Sequence, residues 1–232
     1  MAGVISRRLL GRGPRAPPAF DAGRTQRPPR PRRLVDDGDA FHCQEVDAPG
    51  GRWSVAFGRR EDGDCSRVFR LRDGTLTTRW EATHPTHAVV ADDGTVAFTE
   101  AGRPNRLESR FHLRAGQPIL EREFDANLER PAISADGQFA ATVTMAPEPT
   151  VTLFETASGE ARFTYEIRGR RAHLLGFYGP AEEPLLYVSR RPTNDPYVAL
   201  DTDGEVVWGN DRYRASRPLS ERLESLGKTL GR

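Results

Sequence analysis

The chain has 232 residues, 37% hydrophobic and 29% charged, with 22 glycines, 18 prolines and a formal net charge of +1. That is enough for one large domain, too turn-rich for a helical bundle, and without an apolar run of roughly 18 residues that could cross a bilayer as a helix. The basic residues are arginines apart from Lys228, and two cysteines, Cys43 and Cys65, are too few for a disulfide framework.

Residues 1–34 carry nine arginines and one acid, Asp21, so a basic tail precedes a mildly acidic body. The run Gln26-Arg27-Pro28-Pro29-Arg30-Pro31-Arg32-Arg33 can neither bury apolar surface nor sustain a helix, which predicts a disordered tail over 1–34. Its apolar content is too short for a secretory signal, and Pro28-x-x-Pro31 fits a polyproline II ligand.

Residues 35–209 are repetitive. Gly51, Gly94, Gly137 and Gly179 recur every 42–43 residues, and Gly74, Gly116, Gly159 and Gly204 every 42–45. Two interleaved series with one period mean one supersecondary unit used four times, at a period typical of propeller blades. In the third unit, strands are predicted at Ala132–Ser134, Phe139–Val143, Val151–Phe154 and Arg162–Ile167. The turn glycines supply the positive φ that tight hairpins need. Units one, two and four follow the same plan, starting at Phe41, His87 and His173. In the fourth strands, Trp80, Phe124, Tyr165 and Trp208 all lie an even number of residues after their glycine. They therefore share one face of each sheet.

Ile133-Ser134-Ala135-Asp136-Gly137 and Val151-Thr152-Leu153-Phe154-Glu155 resemble the turn and the Trp-Asp strand of WD40-like β-propeller repeats, with Phe154-Glu155 in place of Trp-Asp. Leu200-Asp201-Thr202-Asp203-Gly204-Glu205-Val206-Val207-Trp208 resembles the blade motif of quinoprotein-type propellers. The resemblance implies an all-β, β-propeller-like fold of about four blades of four antiparallel strands.

Residues 210–232 place Leu219, Leu223 and Leu226 at i, i+4, i+7 between Pro218 and Gly227, which predicts a short amphipathic C-terminal helix. Four blades are few for a closed propeller. A four-bladed ring, an open arc covered by this helix, and a homodimer closing as eight blades all satisfy the sequence.

The glycine turns share one rim. The longer loops on the opposite rim carry Arg59, Arg60, Arg103, Arg106, Arg168, Arg170, Arg171, Arg190 and Arg191, an expected interaction face for an acidic partner. Cys65, His84 and His87 are a speculative zinc set, with Asp62 or Asp64 nearby. No nucleophile elbow, zincin or phosphate-loop motif occurs, and no cofactor is expected. The leading expectation is therefore a non-catalytic, cytoplasmic, protein-binding scaffold without membrane attachment. One alternative is nucleic-acid binding through residues 1–34. Another is a small-molecule binder or quinoprotein- or lyase-type enzyme using channel-facing His87, Ser134 and His173.

Overall fold

The computed structural model describes residues 28–102, 108–145, 149–167, 174–179, 182–190 and 195–217. Blade 1 comprises β1 (Arg30–Asp36), β2 (Asp39–Asp47), β3 (Trp53–Arg60), β4 (Ser66–Arg72) and β5 (Thr75–Ala82). Blade 2 comprises β6 (Pro85–Val90), β7 (Val96–Ala101), β8 (Ser109–Ala115) and β9 (Gln117–Phe124). Blade 3 comprises β10 (Ala132–Ile133), β11 (Phe139–Val143), β12 (Thr150–Glu155) and β13 (Ala161–Glu166), and blade 4 comprises β14 (Leu174–Tyr178), β15 (Leu185–Arg190), β16 (Asp195–Leu200) and β17 (Val206–Gly209). Strand order within each sheet is sequence order, and the paired strands are antiparallel. A short helix, α1 (Asp211–Ser216), is capped by Asn210, whose side chain accepts from the Tyr213 N–H.

Blades follow one another in space as they do in sequence: β6 lies against β2 and β3, β10 against β6 and β7, and β14 against β10 and β11. Alternation along each strand sends one set of side chains to the preceding blade and the other to the following one. Val55, Phe57 and Val68 thus meet Val90, Val96 and Phe98 between blades 1 and 2. Phe111 and Leu113 meet Ile133, Ala140 and Phe154 between blades 2 and 3. Val151 and Leu153 meet Phe177, Leu186 and Val188 between blades 3 and 4. Trp80, Phe124 and Tyr165 pack into these three junctions in turn, as their common offset predicts.

The blade 1 sheet has a fifth strand where a disordered tail was expected. Residues 30–34 belong to β1, so the described part of the blade 1 sheet includes residues assigned to the tail. Arginines can enter a strand here because carboxylates await them. Glu45, 2% exposed, accepts from Arg30 Nε at 3.0 Å and from Arg32 and Ser54. Arg33 pairs with Glu61 at 2.6 Å. Buried Asp36 accepts from Arg67 at 2.7 Å and from Arg79. Beneath these pairs, Leu34 packs on Phe41, Cys43, Ala56, Phe69 and Leu71, an apolar cluster on the face of blade 1 turned away from blade 2. The Arg67 guanidinium lies 5.1 Å over the Phe41 ring. The rest of the basic segment, 1–27, and the predicted amphipathic helix with Leu219, Leu223 and Leu226 lie outside the described residues.

Candidate functional site

At the long-loop end of blade 2 lies a recess of about 430 Å³. Glu100 and Gly102 come from the end of β7, Glu108 and Arg110 from the entry to β8, Glu123 and Asp125 from the exit of β9, and Thr83 from the segment arriving from blade 1. Antiparallel pairing brings these strand ends together. Ala101 is opposite Ser109, which is opposite Phe124.

Glu100 anchors the wall. Its Oε1 accepts the Thr83 N–H at 2.6 Å, and its Oε2 lies 2.9 Å from His112 Nε2. Both side chains are buried, 7% and 5% exposed. The His112 ring stacks on Phe98 at 4.3 Å, with 8° between planes. A carboxylate only accepts, so His112 Nε2 carries the hydrogen directed at Glu100, while His112 Nδ1 lies 3.3 Å from Arg114 and 3.6 Å from Glu121 Oε2. Burial pushes the Glu100 carboxyl up. The His112 and Thr83 donors and the Arg110 charge outweigh it, and the group sits below its ordinary value. Arg110 is engaged by Glu123 through Nε at 2.9 Å. Among the described residues, the recess is thus lined by four carboxylates, from Glu100, Glu108, Glu123 and Asp125, and one guanidinium.

A second recess, of about 510 Å³, opens on the glycine-turn rim between blades 2 and 3, lined by Asp93, Asp136, Glu155 and Thr156 among others. Asp136 Oδ1 accepts from the Ser134 hydroxyl at 2.6 Å and the Gln138 N–H at 3.1 Å, while its buried Oδ2 has no hydrogen-bond partner among the described residues.

Of the nine arginines expected to form an interaction face, Arg59 and Arg60 are described in full. Neighbours on β3, they project to opposite faces. Arg59 is exposed, and half-buried Arg60 pairs with Asp39 at 3.4 Å and Asp62 at 3.1 Å. Arg190 ends β15, with its side chain outside the described residues. Arg103, Arg106, Arg168, Arg170, Arg171 and Arg191 also lie outside them. Among the described residues no group of three His, Cys, Asp or Glu side chains could hold a metal, so Cys65, His84 and His87 are not assembled into the speculative zinc set. His84 lies in the bend before β6 and His87 within β6, whereas Cys65 precedes β4 and turns its Sγ to the Ser66 carbonyl at 3.9 Å. Cys43 is buried, and burial pushes its thiol up to about 12, which leaves it protonated and unreactive. Of the proposed channel residues, His173 lies outside the described set, and the Ser134 hydroxyl is spent on its turn, donating to Asp136 and accepting the Phe139 N–H.

The Glu100–His112 pair was not anticipated. The available signal was a carboxylate two residues after Phe98, hence on the same strand face, with a second strand nearby carrying Phe111-His112.

No protein-family model matches the chain, and no curated protein matches its sequence. Among solved structures, the β-propeller domain of the Trilobed protease from Pyrococcus furiosus, described as having an open velcro topology, is 16% identical with a TM-score of 0.45, over 69% of this chain and 55% of that one. The Cps50 (Swd1) β-propeller domain of Myceliophteria thermophila is 12% identical with a TM-score of 0.49, over 67% and 50%. Hsv2p of Kluyveromyces lactis is 12% identical with a TM-score of 0.42, over 83% and 66%. The chain spans about half the length of the first two. At these identities the likeness concerns fold alone, and the architecture rests on the sheets themselves. With four antiparallel sheets stacked in chain order, each led into by the same glycine turns, the chain is a β-propeller-type protein.

Proposed function

We propose that the chain is a non-catalytic interaction module that receives a cationic side chain of a protein partner in the recess of blade 2. The observation behind this reading is the charge of the wall: among the described residues, four carboxylates from three strand ends stand beside one arginine, which Glu123 engages. Glu100 is held in place by two donors, so it offers a fixed negative charge without having to reorganise. A recess of this size on a rigid sheet end accommodates an arginine or lysine side chain. This reverses the charge of the partner expected from the sequence. It also weakens the case for the tail as a nucleic-acid arm, because Arg30, Arg32 and Arg33 are committed to carboxylates of the body.

The test is binding of the full-length chain to an array of arginine- and lysine-containing peptides, with acidic peptides and single-stranded RNA as competitors. Basic peptides should bind, weaken with salt, and lose at least about tenfold in affinity, roughly 1.4 kcal/mol, in a Glu108→Gln/Asp125→Asn double variant. Preferential binding of acidic peptides or RNA, or basic-peptide binding indifferent to the double variant, would sink the proposal.

A further inference from the structure

The blade junctions obey a rule whose last term is missing. In each later blade, the glycine of the second turn series is pressed against the preceding blade. A β-carbon on Gly204 would lie 2.8 Å from Phe163 Cγ, and one on Gly159 would lie 3.3 Å from Leu120 Cβ. One on Gly116 would lie 3.7 Å from an Arg70 nitrogen that donates to Thr78. Phe163, Leu120 and Thr78 are each the fourth residue after their own blade's turn glycine, Gly159, Gly116 and Gly74. Position +4 of blades 2 and 3 therefore addresses the turn glycine of the next blade, while at Gly116 the contact comes from Arg70, which Thr78 holds.

Both ends of the chain hold half of such a junction. At the blade 4 end, position +4 is Trp208, which is half-buried and belongs to none of the blade-to-blade clusters. Its +4 counterparts Leu120 and Phe163 both pack into the junction with the following blade. Beside it, Tyr178 and Val207 are 42% and 43% exposed. At the blade 1 end, a β-carbon on Gly74 would meet nothing within 4 Å among the described residues, and Gly51 of the first series is open likewise. Leu76, next to Gly74, is 37% exposed. Trp208 thus does not reach Gly74 within one chain.

We propose that the missing neighbour is a second copy of this chain: Trp208 of each copy packs over Gly74 of the other, and two four-bladed arcs close as an eight-bladed ring. Two-fold symmetry makes both junctions at once and leaves no open end. Eight blades lie within the range over which propellers close, while four are at its lower limit. Each new contact continues a junction already made between blades 2 and 3 and between blades 3 and 4. Charge agrees. The turns of blade 1 expose Arg72 and an Arg52–Asp73 pair, those of blade 4 expose Glu182, Glu183 and Glu205, and both sets lie on the glycine-turn rim. The exposed guanidiniums of Arg30 and Arg79 form the outer layer of blade 1, a surface suited to aromatic rings. Junctions inside the chain use the same pairing: Arg70 stacks on Trp53 at 5.1 Å, and Arg122 lies 5.7 Å from Phe154 of the next blade.

The experiment is sedimentation equilibrium of the full-length chain over a wide concentration range, alongside Trp208→Ala and Gly74→Asn. Asparagine tolerates the left-handed conformation of Gly74 (φ +77°), and a β-carbon there meets nothing within 4 Å among the described residues, so this variant should fold. Far-UV circular dichroism and thermal unfolding check that both variants do. The wild type should sediment at about 52 kDa, twice its 25.8 kDa, and each variant should weaken the dimer at least about tenfold while remaining folded. A wild type that stays at 25.8 kDa, or a dimer indifferent to both substitutions, overturns the proposal. Because the recess of blade 2 is far along the chain from both ends, peptide binding by the variants reports separately on the function proposed above.

Discussion

Glu100 is a buried carboxylate whose charge survives because His112, Thr83 and Arg110 all act on it. Folding lowers its proton affinity relative to the ordinary value of 4.5, so the unfolded chain binds this proton more readily. The stability it contributes is fully present above pH 4.5 and is lost as the pH falls through the lower value of the folded state. Urea unfolding across that range should show an acid limb that is shallower in Glu100→Gln than in the wild type. Replacing the partner is harsher. His112→Ala leaves the carboxylate short of a donor and removes a ring stacked on Phe98, which should cost about 3 kcal/mol at neutral pH. Identical acid limbs in wild type and Glu100→Gln would mean that another carboxylate governs the acid transition. Glu45 is the competitor, since burial raises it but Ser54, Arg30 and Arg32 more than compensate and hold it low.

At the scale of elements, the turn glycines serve two physical demands that mutation can separate. Gly38 and Gly204 both have positive φ, +87° and +84°. A side chain on Gly38 would meet nothing within 4 Å among the described residues, whereas one on Gly204 would collide with Phe163. Gly38→Ala should therefore cost only the conformational penalty, about 1 kcal/mol. Gly204→Ala should cost more, about 2–3 kcal/mol, because the blade 3–blade 4 contact must also give way. Chemical denaturation of both variants decides it, and equal losses would mean that the junction is soft. The periodicity of these glycines made the sixteen repeat strands legible. It did not show β1, although Asp37-Gly38 between Leu34-Val35 and Ala40-Phe41 is a hairpin signal. Asp37 does adopt positive φ, +52°. Arginine and proline density concealed the strand, because whether an arginine belongs in a sheet depends on the carboxylates that face it.

At the scale of the molecule, β1 adds a fifth strand and an ion-paired layer to the outer face of blade 1. Removing residues 1–29 should leave the unfolding transition in place. Removing 1–37 should lower it by about 3–5 kcal/mol, since Glu45 would stay buried without Arg30 and Arg32, and Phe41 would lose Leu34. Equal stability of the two truncated chains would show that the tail reading of residues 30–34 was adequate after all. Sequence alone determined the all-β class, the four-fold repeat, the turns and the shared face of the fourth-strand aromatics, because backbone chirality and strand alternation are local properties that each repeat states again. Tertiary structure decided which charges are paired, where the acidic recess lies and which turn glycines have no neighbour. Those depend on side chains far apart in the chain meeting across strand ends and blade junctions, and the pattern within a single strand carries no record of what stands opposite it.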